Sequence, residues 1–182
     1  MMKKLFLLAA ALVVAVSFSN AQPNWKLNSN AAMLGIGALS VGGEIEVAPK
    51  WTVEGEVVGA FFNWWKALKV SGVSAVVEGR WYLTETFSGH HFGAFLEGCY
   101  FGKANVALPG FGGAKGSADM KNVKAIGIGA AYGYAYNLTE NWGLDGTIGL
   151  GAGVGSYERN GKASGTKFIP VPRLQVAVTY KF

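Results

Sequence analysis

The chain has 182 residues and a formal net charge of +5, falling to about +3 once a basic leader is set aside, too mild a balance to argue for a nucleic-acid partner. Glycine is abundant at 27 residues, 13% of positions are aromatic, and beyond the leader no apolar run is long enough for a membrane-spanning helix. Cys99 is alone, which excludes an internal disulfide.

Met1-Met2-Lys3-Lys4 opens the chain, and an apolar run follows from Leu5 to Val16. Small residues lead to Ser19-Asn20-Ala21. A positive start, a short apolar stretch and small residues at −3 and −1 are the pattern of a secretory signal peptide. The expected division is therefore 1–21 signal peptide and 22–182 a single mature domain.

The mature part alternates with period two, the mark of strands with one apolar face. From Trp142 to Val154 the even positions carry Trp142, Leu144, Ile148, Leu150, Ala152 and Val154. The odd positions carry glycine, Asp145 and Thr147. Val123–Asn137 and the segment ending Val178-Thr179-Tyr180-Lys181-Phe182 repeat the scheme. The polar face is too small and glycine-rich for a water-facing surface, and suits the cramped interior of a small barrel. Short turns at Ala48-Pro49-Lys50, Thr84–Ser88 and Leu138–Asn141 alternate with longer connections at 63–69, 104–121 and 157–166. Eight strands are expected: 25–34, 40–48, 51–62, 70–83, 89–103, 122–137, 142–156 and 167–182. Together they predict an all-β, eight-stranded antiparallel transmembrane β-barrel with the up-and-down architecture of small outer-membrane barrels such as OmpA and OmpX. The short turns and both termini fall on the periplasmic side. Pro170 and Pro172 lack N–H donors, so regular pairing of the last strand is expected to begin below them.

Aromatic residues sort to strand ends, as membrane-interface girdles require. Trp25, Trp51, Trp81, Tyr136, Trp142, Tyr180 and Phe182 fall at the periplasmic side; Phe61, Trp64, Trp65, Tyr100 and Phe168 fall at the outer side. Val178, Tyr180 and Phe182 form a C-terminal insertion signature, alternating apolar residues that end in an aromatic. It would be read by the barrel-insertion machinery during biogenesis.

Glu78-Gly79-Arg80-Trp81-Tyr82-Leu83 is followed by Phe87-Ser88-Gly89-His90-His91-Phe92-Gly93. Further on stand Ala131-Tyr132-Gly133-Tyr134, Trp142-Gly143-Leu144-Asp145 and Ile148-Gly149-Leu150-Gly151, then Phe168 through Phe182. With these motifs, over most of the mature chain, the sequence resembles a family of short outer-membrane proteins catalogued as a domain of unknown function (three-five-seven-five). That family is typical of Bacteroidota, and some members lie near fimbrial or envelope genes. The resemblance implies a barrel and an outer-membrane location, and brings no catalytic residues with it.

Charged residues concentrate on the inward parity. Glu44, Glu46, Glu54, Glu56, Glu78, Glu97 and Asp145 share it with Lys26, Arg80, Lys103, Arg173 and Lys181. A turn at Pro49 is expected to set Glu46 opposite Glu54 and Glu44 opposite Glu56, and like charges so placed need compensation. The reading favoured here is a salt-bridged structural plug built from Glu44, Glu46, Glu54, Glu56, Glu78, Arg80, Glu97, Asp145, Arg173 and Lys181. The alternative is an interior that binds protons or cations. His91 faces the interior by parity, but His90 and His91 adjoin a turn and cannot chelate a metal from one face of a strand, so they read as turn polarity. No catalytic, cofactor or metal site is expected. The expected role is non-enzymatic, in envelope structure or surface interaction, with outer-membrane lipid and lipopolysaccharide as surroundings and an envelope protein as a possible partner. The alternatives are an accessory subunit of an envelope or fimbrial assembly complex and a lipid-modifying barrel enzyme.

Overall fold

The computed structural model describes residues 24–35, 37–60, 68–106, 118–159 and 162–182. The leader, the outer aromatics Phe61, Trp64 and Trp65, and the glycine-rich tip at 110–113 lie outside the described residues. The elements are β1 (Trp25–Asn30), α1 (Ala31–Gly35), β2 (Ala38–Ala48), β3 (Trp51–Ala60), β4 (Leu68–Tyr82), β5 (Gly89–Val106), β6 (Ala118–Asn137), β7 (Trp142–Arg159), the two-residue β8 (Lys162–Ala163) and β9 (Lys167–Lys181).

Each strand pairs antiparallel with its chain neighbour from β1 to β7. β7 then pairs with β9, and β9 returns to β1. Eight strands thus close a ring, with β8 as a short hairpin extension on β7. No helix of the described residues is long and apolar enough to cross a membrane.

The period-two pattern decides the faces. Leu150, Ile128 and Ile148 point outward at 68, 66 and 62% exposure, whereas Arg80, Glu78 and Tyr82 point inward at 0%. The interior glycines make room for the larger inward side chains. A Cβ on Gly129 would strike the Phe95 ring, and one on Gly133 would strike His91 and Thr147.

Three features differ from the sequence expectation. The first strand stops at Asn30, and Ala31–Gly35 form a helical turn in place of the rest of a 25–34 strand. Asn30 is the cause: its Oδ1 accepts from Ala32 N at 3.2 Å, the geometry of a helix N-cap. The same side chain replaces the missing strand for β9, since Oδ1 also accepts from Val176 N (3.1 Å) and Nδ2 donates to Leu174 O (3.2 Å). Second, pairing of β9 with β7 runs past both prolines, with Pro170 opposite Ala152 and Pro172 opposite Leu150. Val176 N and Leu174 O address the β1 side, so the same-parity prolines lack their donors on the side where β1 has already ended. Third, the β2–β3 register sets Glu44 opposite Glu54 and Glu46 opposite Thr52. The turn is only Pro49-Lys50, with Lys50 at φ +68°, and an irregularity between Glu46 and Ala48 shifts the strand above it.

Candidate functional site

The rim that carries the short turns is closed from inside by Phe87. This residue holds φ +66°, an uncommon conformation for a bulky side chain, and is 3% exposed. The turn thereby swings its ring under the interior, edge-on to Tyr82, with Lys26 Nζ 5.3 Å and Lys181 Nζ 5.9 Å from the ring centroid.

Above Phe87 the strands converge on Arg80. Its Nη1 donates to Glu44 (2.9 Å) and approaches Asp145 (3.5 Å), its Nη2 donates to Glu54 (2.5 Å) and Gln175 (2.8 Å), and its Nε donates to Glu78 (3.1 Å). Lys26 Nζ adds contacts to Glu44 (2.9 Å) and Asp145 (3.2 Å). Tyr82 and Thr52 hydroxyls donate to Glu44 Oε1. Glu54 is held by four donors, from Arg80, Arg173 (2.8 Å), Asn28 (2.6 Å) and Gln175 (2.8 Å). Arg173 extends the network upward, its Nε 2.6 Å from Glu78 Oε2 without hydrogen-bond alignment and its Nη1 3.5 Å from Glu56 Oε2. The facing carboxylates of β2 and β3 are therefore offset by shared cations, the compensation that a like-charged pair demands.

Of the residues singled out from the sequence, Glu44, Glu54, Glu56, Glu78, Arg80, Asp145 and Arg173 come together in this network. Three do not. Glu46 lies at the rim, where it accepts from Asn24 (2.9 Å) and Thr86 (3.1 Å). Lys181 leans over Phe87, and it is Lys26, on the inward parity but not counted in the plug, that pairs with Glu44. Glu97 sits higher, half-buried in the wall of a separate cavity.

His91 corrects the turn-polarity reading. It is fully buried, 5.0 Å from the Tyr82 ring, with Nε2 3.4 Å from Asp145 Oδ1. His90, its neighbour, points outward, where Nδ1 meets the Tyr132 hydroxyl at 2.6 Å. Tyr82, Gln175, Asn28 and Thr52 were not singled out from the sequence, although their inward parity is the same signal that marked the charged residues. The described residues contain no group of three or more His, Cys, Asp or Glu side chains arranged to hold a metal.

The upper interior is different in kind. β2, β3, β4, β5 and β9 line an open cavity of about 230 Å³ whose wall is largely apolar, with Val58, Ala60 and Val76, and α1 contributes Met33. Val76, in that wall, packs with Phe95 and Ala131 in the one apolar cluster of buried residues among those described. The ring is thus plugged by ions below and hollow above.

A family model described as a protein of unknown function (DUF3575) matches residues 5–169. No curated protein and no solved structure shows a match to this chain.

Proposed function

We propose, from the premise that this chain belongs to the DUF3575 family, that it is a non-enzymatic, integral outer-membrane β-barrel serving envelope structure or surface interaction. One observation carries the reading: the polarity of the ring is inverted. Large apolar side chains stand outward on every side, among them Val41 (63%), Ile128 (66%) and Leu150 (68%), while Lys26, Glu44, Glu54, Glu56, Glu78, Arg80, Asp145 and Arg173 are buried inside. Soluble monomers rarely expose contiguous apolar patches beyond a few hundred Å². A lipid-facing wall does so by design.

Dimensions and aromatic placement support the same reading. β4 has 15 residues, about 50 Å of strand, which at a tilt of ~45° spans about 35 Å and exceeds the ~25 Å apolar band of such barrels. Trp51, Trp81, Phe92 and Tyr132 are successive cross-strand partners near the short-turn rim. Trp25 stacks on Phe182 at 3.9 Å, and Tyr180 meets both Phe182 and Trp142 edge-on. Such a belt belongs at a membrane interface. In this reading residues 1–21 direct export, Val178, Tyr180 and Phe182 engage the insertion machinery, and the short-turn rim with both termini faces the periplasm. The opposite rim then meets lipopolysaccharide or an envelope partner.

The test places a nitroxide at Ile148→Cys in a Cys99→Ser background and reconstitutes the protein in bilayers. Preferential collision with oxygen over a water-soluble nickel complex is expected. Full access to nickel would refute the membrane reading. A mild-detergent pull-down from outer membranes would then show whether the protein acts alone or with a stoichiometric partner.

A further inference from the structure

We propose that the upper cavity binds a primary alkylammonium ion, its amine held between Glu56 and Glu97 and its short apolar chain lying against Val58, Ala60 and Val76. Glu56 and Val76 are cross-strand partners, as are Val76 and Glu97, so the two carboxylates flank one valine at one height. Both line the cavity. Glu56 is 3% exposed, and its Oε1 is buried without a hydrogen-bond partner. Its other oxygen has only long contacts, 3.4 Å to Gln175 and 3.5 Å to Arg173. A buried acceptor left open in this way is costly, and native structures normally supply a partner.

Charge balance sets the sign of that partner. Among the described residues, five buried carboxylates (Glu44, Glu54, Glu56, Glu78 and Asp145) share three buried cations (Lys26, Arg80 and Arg173). Arg173, the cation in the cavity wall, directs its nitrogens to Glu54, Glu56 and Glu78, and no described ion pair reaches Glu97. The single cation of the cavity wall is therefore divided among three carboxylates, and Glu97 has no described ion-pair partner of its own. The chemistry of the wall narrows the class. A hard metal ion needs six or more oxygen ligands, whereas this wall is mostly aliphatic. A primary ammonium has three donors, enough for the Glu56 and Glu97 carboxylates and the Ser74 hydroxyl, all from residues that line the space. At ~30 Å³ per water-sized volume, 230 Å³ holds about eight heavy atoms, so the body is a short chain.

The experiment titrates n-butylammonium chloride into the full folded protein in detergent micelles. The methyl NMR signals of Val58, Ala60 and Val76 are followed, with n-butanol and n-butyrate as neutral and anionic controls. Saturable shifts with the amine alone are expected, and Glu97→Gln should weaken binding by about tenfold or more, the worth of a hydrogen bond to a charged group. Glu56→Gln should do the same. If that variant fails to fold, Glu97→Gln decides the matter alone, since no described ion pair depends on it. Equal shifts with butanol would reduce the site to an apolar void and overturn the proposal. So would the absence of saturable shifts, or an affinity unchanged in Glu97→Gln.

Discussion

Replacing Arg80 by Met tests whether the interior is held by its cations. The side chain is fully buried and contacts Glu44, Glu54, Glu78, Asp145 and Gln175. Methionine fills similar space and removes the charge, leaving, among the described residues, five buried carboxylates with two buried cations. Breaking a buried ion pair from one side costs about 3–5 kcal/mol. For a chain of this size that lowers the apparent Tm by about 6–20 °C. The network also predicts an asymmetry. Because acids exceed bases, Glu56→Gln removes a surplus negative charge, keeps the shape and should cost less than ~1 kcal/mol. A surface change at Glu85 or Glu140 should stay within about 0.5 kcal/mol. Urea unfolding of the micellar protein, followed by near-UV circular dichroism and by heat-dependent electrophoretic mobility, measures all of these. An unchanged midpoint for Arg80→Met, or an equal loss for Glu56→Gln, would refute the reasoning.

Other outcomes follow from the same geometry. Asn30→Ala removes the α1 cap and leaves Val176 N and Leu174 O without their side-chain partner, a loss of about 2–4 kcal/mol measurable in the same unfolding experiment. Gly151→Val drives a side chain into the backbone of Ile128 and Gly129, so the β6–β7 pair should not form and the folded band on cold gels should vanish. Leu150→Lys, on the outward face, should cost about 2–4 kcal/mol in bilayers if that face meets lipid at mid-depth, and close to nothing if it meets water.

Much of the ring was legible because a period of two leaves little freedom. Once Asp145 and Thr147 share a parity opposite Ile148 and Leu150, one face must be inside, and the small residues between them say which. The same parity placed Glu78, Arg80 and Arg173 inward. Register was harder. Whether Glu44 faces Glu54 or Glu56 depends on a positive φ at Lys50 and a one-residue irregularity near Glu46, neither written in the hydrophobic pattern. The α1 turn was illegible by periodicity, since Ala31–Gly35 is too short to show a helical repeat. Its trace was the polar run Asn28-Ser29-Asn30, which breaks the strand pattern and supplies the cap. His91 illustrates another limit: parity pointed it inward, but proximity to a turn suggested solvent, and only the fold of Phe87 beneath it shows the rim is sealed.

The early end of β1 has a consequence for life among other copies. From Lys167 to Val176, β9 has no strand on the β1 side, where α1 and the Asn30 side chain cover it only in part, and a strand edge without a paired strand is a template on which a stranger can pair and polymerise. Pro170 and Pro172 blunt that template, because a visiting strand would find carbonyls but no donors at those two positions. The defect that shortens the closure also makes it uninviting. Restoring the donors with Pro170→Thr and Pro172→Thr would create a sticky margin, and the variant's tendency to form dimers would measure how much self-avoidance the two rings supply.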